Sequence, residues 1–188
     1  MRRVRPHWWA GAVAIAISGA VAAGASGTSG FDWQRLHRPL RFPSVAAGVQ
    51  CPTKGAAQAA FGQALNGRSP AYLMSVGGTG AGVIEVNYQY VDAKGWVGQK
   101  TPWLIDRRYT GPLLVRGQRL DEPGPVRFAK GYGQHLAELR FVRGEKNSLD
   151  KRFRGLASSS LFRSPGCYGF QIDGTSFSRA IVMRVIEV

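Results

Sequence analysis

The sequence predicts an all-β domain, an antiparallel sandwich of about seven or eight short strands, preceded by an N-terminal signal or membrane-anchor helix. After residue 70, runs of apolar, β-branched and aromatic residues alternate with separators rich in Gly, Pro and Asp. No amphipathic helical period of useful length interrupts these runs. The last two runs, residues 168–172 and 177–187, flank the turn-forming residues 173–175. They predict a closing β-hairpin.

Residues 1–30 have the composition of a targeting or membrane segment. Arg2, Arg3 and Arg5 precede an uncharged apolar run over residues 8–25. An A-x-A site at residues 23–25 favours cleavage as a signal peptide, whereas the uncharged run to residue 30 is long enough for an uncleaved transmembrane helix. Both alternatives keep the arginines in the cytoplasm and export the rest of the chain. We therefore expect a secreted protein or one anchored in the cytoplasmic membrane.

The remaining chain is long enough for one domain, which we place at residues 45–188. Residues 27–43 mix Gly, Pro, aromatic residues and arginines without a helix or strand period, so we predict a juxtamembrane linker over residues 31–44. His37 in this linker has no carboxylate or second histidine near it in the sequence. We interpret it as a solvated residue.

The first part of the domain predicts loops and one strand. Residues 55–66 are rich in Ala but interrupted by Gly, which favours a loop or one short helical turn. A short strand at 72–76 precedes the glycine cluster at 77–82. A phosphate-binding glycine loop opens a helix, whereas residues 83–91 alternate like a strand. The glycines therefore predict a flexible connection, and no cofactor is expected.

Strand 83–91 is expected to pair with the next apolar run. Residues 92–95 predict a turn with Gly at its end, and residues 96–105 then return as a partner strand. Pro102 inside that partner indicates an edge position or a bulge. Further strands are predicted at 112–116, 126–128 and 136–142, followed by a basic loop and the closing hairpin. Together these strands favour an immunoglobulin-like β-sandwich.

The two cysteines, Cys51 and Cys167, lie near the two ends of the predicted domain. Oxidising compartments form and keep disulfides, so an exported chain predicts a bond between them. Two unpaired buried thiols are the alternative.

Two stretches resemble a group of exported bacterial proteins that carry no assigned activity. They are PWLIDRRYTGPLLVRGQRLD at residues 102–121 and PGCYGFQIDGTSFS at residues 165–178. The group shares a tryptophan strand, a G-P-hydrophobic-R-G-hydrophobic-D stretch and a terminal G-C-aromatic segment. The resemblance implies a secreted or anchored β-sandwich and transfers no catalytic residue.

The formal net charge of +14 points to an anionic partner or to arginines spread over solvated faces. Outside the cytoplasm the available anions are lipid headgroups, envelope polymers and acidic proteins, so nucleic acid is not expected. The densest basic segment interleaves cations with Phe141 and Phe153, which could stack or insert. Its possible contacts with an anionic partner are Arg143, Lys146, Lys151, Arg152 and Arg154. The alternative is a solvated loop whose phenylalanines belong to the core.

Residues suited to catalysis are sparse. His135 is the only histidine of the predicted domain, so a Ser-His-Asp triad would have to assemble through tertiary contacts. A carboxylate pair from Glu85, Asp106, Glu138 and Asp173 is the other option, but no spacing selects one. No zinc or calcium ligand pattern occurs. We expect a non-enzymatic domain that binds an envelope component or a protein partner. An envelope-directed hydrolase using His135 or a carboxylate pair is the alternative.

Overall fold

The structure, a computed structural model, describes residues 31–56, 58–76, 80–144 and 151–188. The chain from Asp32 to Val188 forms one compact unit. The predicted signal or anchor segment, residues 1–30, lies outside the described residues, so its helix and its cleavage stay predictions. Within the described ranges, no helix is long and apolar enough to cross a membrane.

The described residues form thirteen β-strands and two 3-10 turns, and they contain no α-helix. The strands are β1 Gln58–Ala60, β2 Gln63–Arg68, β3 Ala71–Met74, β4 Val83–Val86, β5 Val97–Lys100, β6 Trp103–Asp106, β7 Leu113–Arg119, β8 Arg127–Ala129, β9 Leu139–Phe141, β10 Phe153–Leu156, β11 Ser159–Phe162, β12 Gly166–Gly174 and β13 Ser178–Glu187. The 3-10 turns span Trp33–Leu36 and Tyr88–Tyr90. The all-β prediction is confirmed, but the strands outnumber the seven or eight expected.

The strands form three sheets. Two have five strands, in the orders β1-β2-β3-β6-β10 and β4-β13-β12-β7-β9, and one has three, in the order β5-β11-β8. Every pair is antiparallel except β4 with β13, which is parallel. This parallel pair departs from the purely antiparallel prediction, and the immunoglobulin-like arrangement is not confirmed.

The closing hairpin is confirmed and lies at the centre of its sheet. Strands β12 and β13 pair from Gly166 with Val185 to Asp173 with Ser178, and β12 also pairs with β7. Because side chains alternate along a strand, β12 has two different faces. Its inner face adds Tyr168, Phe170 and Ile172 to the main core, and its outer face carries Cys167, Gly169, Gln171 and Asp173.

The predicted pairing of residues 83–91 with 96–105 is wrong. Strand β4 ends at Val86 and pairs with β13 instead. The returning run is divided at Pro102 into β5, which pairs with β11, and β6, which pairs with β3 and β10. Proline has no N–H to extend a ladder, so the chain changes sheets there. The turn at residues 92–95 is present, and Gly95 adopts a φ of +76°.

Two stretches predicted as loops are strands. Residues 55–66 contain β1 and the start of β2, which join through a turn at Phe61 and Gly62, both with positive φ. The basic loop is followed at once by β10 and β11. The β-propensity of these segments is modest. Leu65 of β2 and Phe153 of β10 are nevertheless buried, and this burial stabilises the two strands.

The stretch predicted as a linker belongs to the compact unit. Residues 32–53, which we name the N-terminal strap, lie along the outer face of β12. The backbone N–H of Arg41 donates to Gln171 Oε1 at 2.9 Å, and Gln171 Nε2 donates to the carbonyl of Pro39 at 3.1 Å. The ring of Phe42 lies over Gly169, where a Cβ would fall 2.7 Å from it. The strap therefore covers this face and removes it from solvent.

Candidate anion-binding site

Two neighbouring chain turns concentrate positive charge at one end of the first sheet. Strands β6 and β10 pair antiparallel with Asp106 opposite Phe153. The chain leaves β6 through residues 107–108 and enters β10 through residues 151–152, and the N–H of Arg107 donates to the carbonyl of Arg152 at 3.1 Å. All four side chains are exposed. We name this group the basic end: Arg107, Arg108, Lys151 and Arg152.

The basic end lines a shallow depression of about 630 Å³. Its other walls come from the β2–β3 turn at Ser69 and Pro70, from Tyr109 and from Ser176. One carboxylate, Asp106, also lines it and accepts a hydrogen bond from the Ser69 hydroxyl. Among the described residues of the lining, four cations therefore accompany one carboxylate, and this set carries a net positive charge suited to an anion.

The floor beneath the basic end is packed and neutral. The rings of Tyr72 and Phe153 meet edge to face with centroids 5.7 Å apart. Burial raises the pKa of Tyr72, and the nearby negative charge of Asp106 raises it further, against hydrogen bonds from Ser69 and Gln58 that lower it. The tyrosine hydroxyl therefore keeps its proton at neutral pH, and only the side chains at the rim are charged.

The prediction that Arg154 contacts an anionic partner needs correction. Its side chain is 4% exposed, and its Nη1 donates to the carbonyl of Tyr109 at 2.8 Å. Lys151 and Arg152 precede β10 in an open turn, whereas Arg154 is the second residue of the strand and points into the protein. Phe141 and Phe153 are buried and belong to the core. A cation lies over each ring, with the Arg152 guanidinium 5.1 Å from the centroid of Phe153 and Lys130 Nζ 4.4 Å from that of Phe141, so the rings pack against the protein's own side chains.

The other two predicted contacts are not part of this depression. Arg143 is exposed in the turn after β9, on a different sheet. Lys146 lies outside the described residues. Sequence reasoning missed Arg107 and Arg108, because they lie more than 40 residues before Lys151 and only the β6–β10 pairing brings them together. The available signal was a pair of arginines at the end of an apolar strand.

His135 meets a carboxylate, although the described residues do not complete a catalytic triad around it. Its Nε2 lies 2.6 Å from Asp92 Oδ2, and its ring lies 6.2 Å from that of Trp96. The backbone N–H of Trp96 is the main cause that lowers the pKa of Asp92, and His135 adds to the effect. The described hydrogen bonds of His135 include no serine hydroxyl, and the depression at the basic end is lined by other residues.

Three of the carboxylates considered for a catalytic pair each have a different partner. Asp106 accepts from Ser69, Glu138 lies 2.6 Å from Arg140 Nε, and Asp173 lies 2.8 Å from Arg116 Nη2. Glu85 lies on β4, an edge strand of the sheet that has Asp173 on its central strand. His37, predicted to be solvated, lies 3.1 Å from Glu138. Among the described residues, no group of three or more His, Cys, Asp or Glu could hold a metal ion.

The predicted disulfide is confirmed. Cys51 and Cys167 are bonded, with their Cα atoms 5.4 Å apart and a sequence separation of 116. Cys167 lies on the outer face of β12, so the bond joins the N-terminal strap to the central strand of its sheet.

No protein-family model matches this chain, and no curated protein and no solved structure matches it either. The geometry of the site is therefore the basis for inferring a function.

Proposed function

We propose that the protein is an exported or membrane-anchored, non-enzymatic β-domain whose basic end binds an anionic component of the cell envelope. The observation that carries this proposal is the convergence of four exposed cations on one depression, where Asp106 is the one carboxylate among the described lining residues. They come from two turns far apart in the sequence, and the β6–β10 ladder holds those turns side by side.

The basic end should bind an anion because its like charges are held close together and repel one another. An anion in the depression would offset this repulsion. Three of the four cations are arginines, whose planar guanidinium groups form paired hydrogen bonds with phosphate or carboxylate oxygens. Because the backbone of both turns is fixed by the ladder, less order is lost when the ligand binds.

The disulfide supports an extracytoplasmic location, because such bonds persist in oxidising compartments. Residues 1–30 supply the proposed export signal or membrane anchor. The available anions there are envelope polymers, lipid headgroups and acidic proteins, and we propose no nucleic-acid partner. A secreted or anchored domain also agrees with the group of exported proteins that residues 102–121 and 165–178 resemble.

Binding of the full chain, as recovered from the expressing cells, to inorganic polyphosphate at rising salt tests this function. Exposed charge contacts are screened over about 10 Å at 0.1 M salt, so the affinity should fall steeply. The double variant Arg107→Gln/Arg108→Gln should bind about tenfold more weakly, which corresponds to about 1.4 kcal/mol. The matched control Lys94→Gln/Lys100→Gln removes the same charge from exposed residues elsewhere and should bind like the wild type.

An equal loss of polyphosphate affinity in the two double variants would show that only the overall charge matters. The basic end would then not be a binding site. Binding that does not respond to salt would also overturn the proposal. Vesicles of phosphatidylglycerol, compared with vesicles of phosphatidylcholine, separate a lipid source of the anionic group from a polymer source.

A further inference from the structure

A second group of cations lies just beyond the basic end, across the β2–β3 turn. Ser69 and Pro70 of this turn line the first depression, and the preceding residues Gly67 and Arg68 line a second depression of about 560 Å³. Lys54 lies in the wall of the second depression as well. Both Arg68 and Lys54 are exposed. The turn is therefore a ridge with cations on either side.

Arg179 lies at the ridge itself. Its Nε donates to the carbonyl of Ser69 at 3.0 Å, and its Nη1 donates to the carbonyl of Ser178 at 2.9 Å, so its guanidinium is held in place. Burial lowers the pKa of Arg179, and the positive charge of Arg68 lowers it further. Two like charges therefore act on each other at the ridge, and an anion that passed over it would relieve their repulsion.

We propose that the ligand is a linear polyanion that runs from the basic end over the β2–β3 turn to Arg68 and Lys54. This inference rests on the proposed function and specifies its ligand class. A single phosphate or carboxylate group reaches only donors within about 3 Å, so one headgroup cannot contact cations on both sides of a turn. A chain with repeating charges can contact both groups at once.

The shape and composition of the site favour a polymer over a bilayer. The depression at the basic end is concave, and none of the described residues that line it is a large, exposed apolar side chain that could insert into lipid. Once one end of a polymer is bound, the second contact becomes intramolecular and its effective concentration is high. Affinity should therefore increase with chain length by more than the number of charges alone accounts for.

The test compares tripolyphosphate with long-chain inorganic polyphosphate as ligands of the full chain. The variant Lys54→Gln/Arg68→Gln should weaken binding of the long chain about tenfold and leave tripolyphosphate binding within about twofold of the wild type. The variant Arg107→Gln/Arg108→Gln should weaken both ligands. Lys94→Gln/Lys100→Gln is the matched control and should weaken neither. Lys54 and Arg68 are exposed, so their replacement should leave the fold intact.

The outcomes separate the two proposals. If neither phosphate ligand binds, the proposed function fails. If both bind equally well and Lys54→Gln/Arg68→Gln has no effect, the basic end is a site for single anionic groups and the polymer inference is wrong. Tighter binding to phosphatidylglycerol vesicles than to long-chain polyphosphate would assign the surface to a membrane and would also overturn the inference.

Discussion

Arginines have opposite roles at the outer face of β12 and at the basic end. Under the strap, Asp173 is fully buried, with Arg116 Nη2 at 2.8 Å, Gln171 Nε2 at 3.0 Å and Arg38 Nη1 at 3.7 Å. At the basic end, Arg107 and Arg108 are exposed beside a depression. An arginine that pairs with a buried carboxylate therefore stabilises the fold, whereas an arginine exposed at the surface can contact a ligand.

The covered region also explains why the strap stays in place. A buried carboxylate is costly unless charged and polar partners surround it, and one of these partners is Arg38 of the strap. Arg38 also donates to the carbonyl of Phe177, and Arg116 donates to the carbonyl of Arg38. The strap is therefore held by hydrogen bonds at one end and by the disulfide at the other.

The largest effect should follow from loss of the disulfide. Replacing Cys51 and Cys167 by Ala should lower the free energy of unfolding by about 4 kcal/mol, because the bond closes a long loop and restricts the unfolded chain. Urea unfolding monitored by tryptophan fluorescence measures the loss, and reduced wild type should match the variant. Recovery of two alkylatable thiols from the unreduced native protein would contradict the disulfide itself.

Asp173→Asn should have the next largest effect. The amide keeps the size of the side chain but leaves Arg116 partly buried without its counter-charge, which should cost about 3 kcal/mol. The control is Asp106→Asn at the basic end, which should lower the free energy of unfolding by no more than about 1 kcal/mol, because the amide oxygen can still accept the hydrogen bond from the Ser69 hydroxyl. Similar losses in the two variants would remove the distinction between the covered face and the basic end.

The smallest of the three effects is expected for Arg154, and Arg108 provides the comparison. Arg154→Met should destabilise the fold by about 2 kcal/mol, because the carbonyls of Tyr109 and Gly111 lose a charged donor. Arg108→Gln should change stability by no more than about 0.5 kcal/mol. Thermal unfolding of both variants gives the comparison. If Arg154→Met were as stable as Arg108→Gln, the buried role assigned to Arg154 would be wrong.

Local pattern was enough to predict the hairpin of β12 and β13 and the turn that ends at Gly95. It was not enough for β1 and β2, because an Ala-rich stretch with interrupting glycines has weak preference for any element. The partners of β4, β5 and β6 were also missed. Pairing between distant strands depends on which apolar faces meet in the core, and no local residue pattern encodes that choice.

The candidate site was predicted in part. Lys151 and Arg152 were recognised from the density of positive charge, but Arg154 has the same charge and is buried, because β10 is covered on both of its faces. Arg107 and Arg108 join the site through the β6–β10 ladder. Charge can be read from residue type, whereas exposure depends on the contacts that each residue makes.

The amino-acid sequence by itself determined the all-β class, the closing hairpin, the excess of positive charge and the cysteine pair, because each depends on residue type or short-range spacing. Tertiary structure alone decided the order of the sheets, the position of the N-terminal strap and the set of cations that share one depression. These features arise from long-range strand pairing and burial, which bring residues such as Arg108 and Lys151 together across intervening chain.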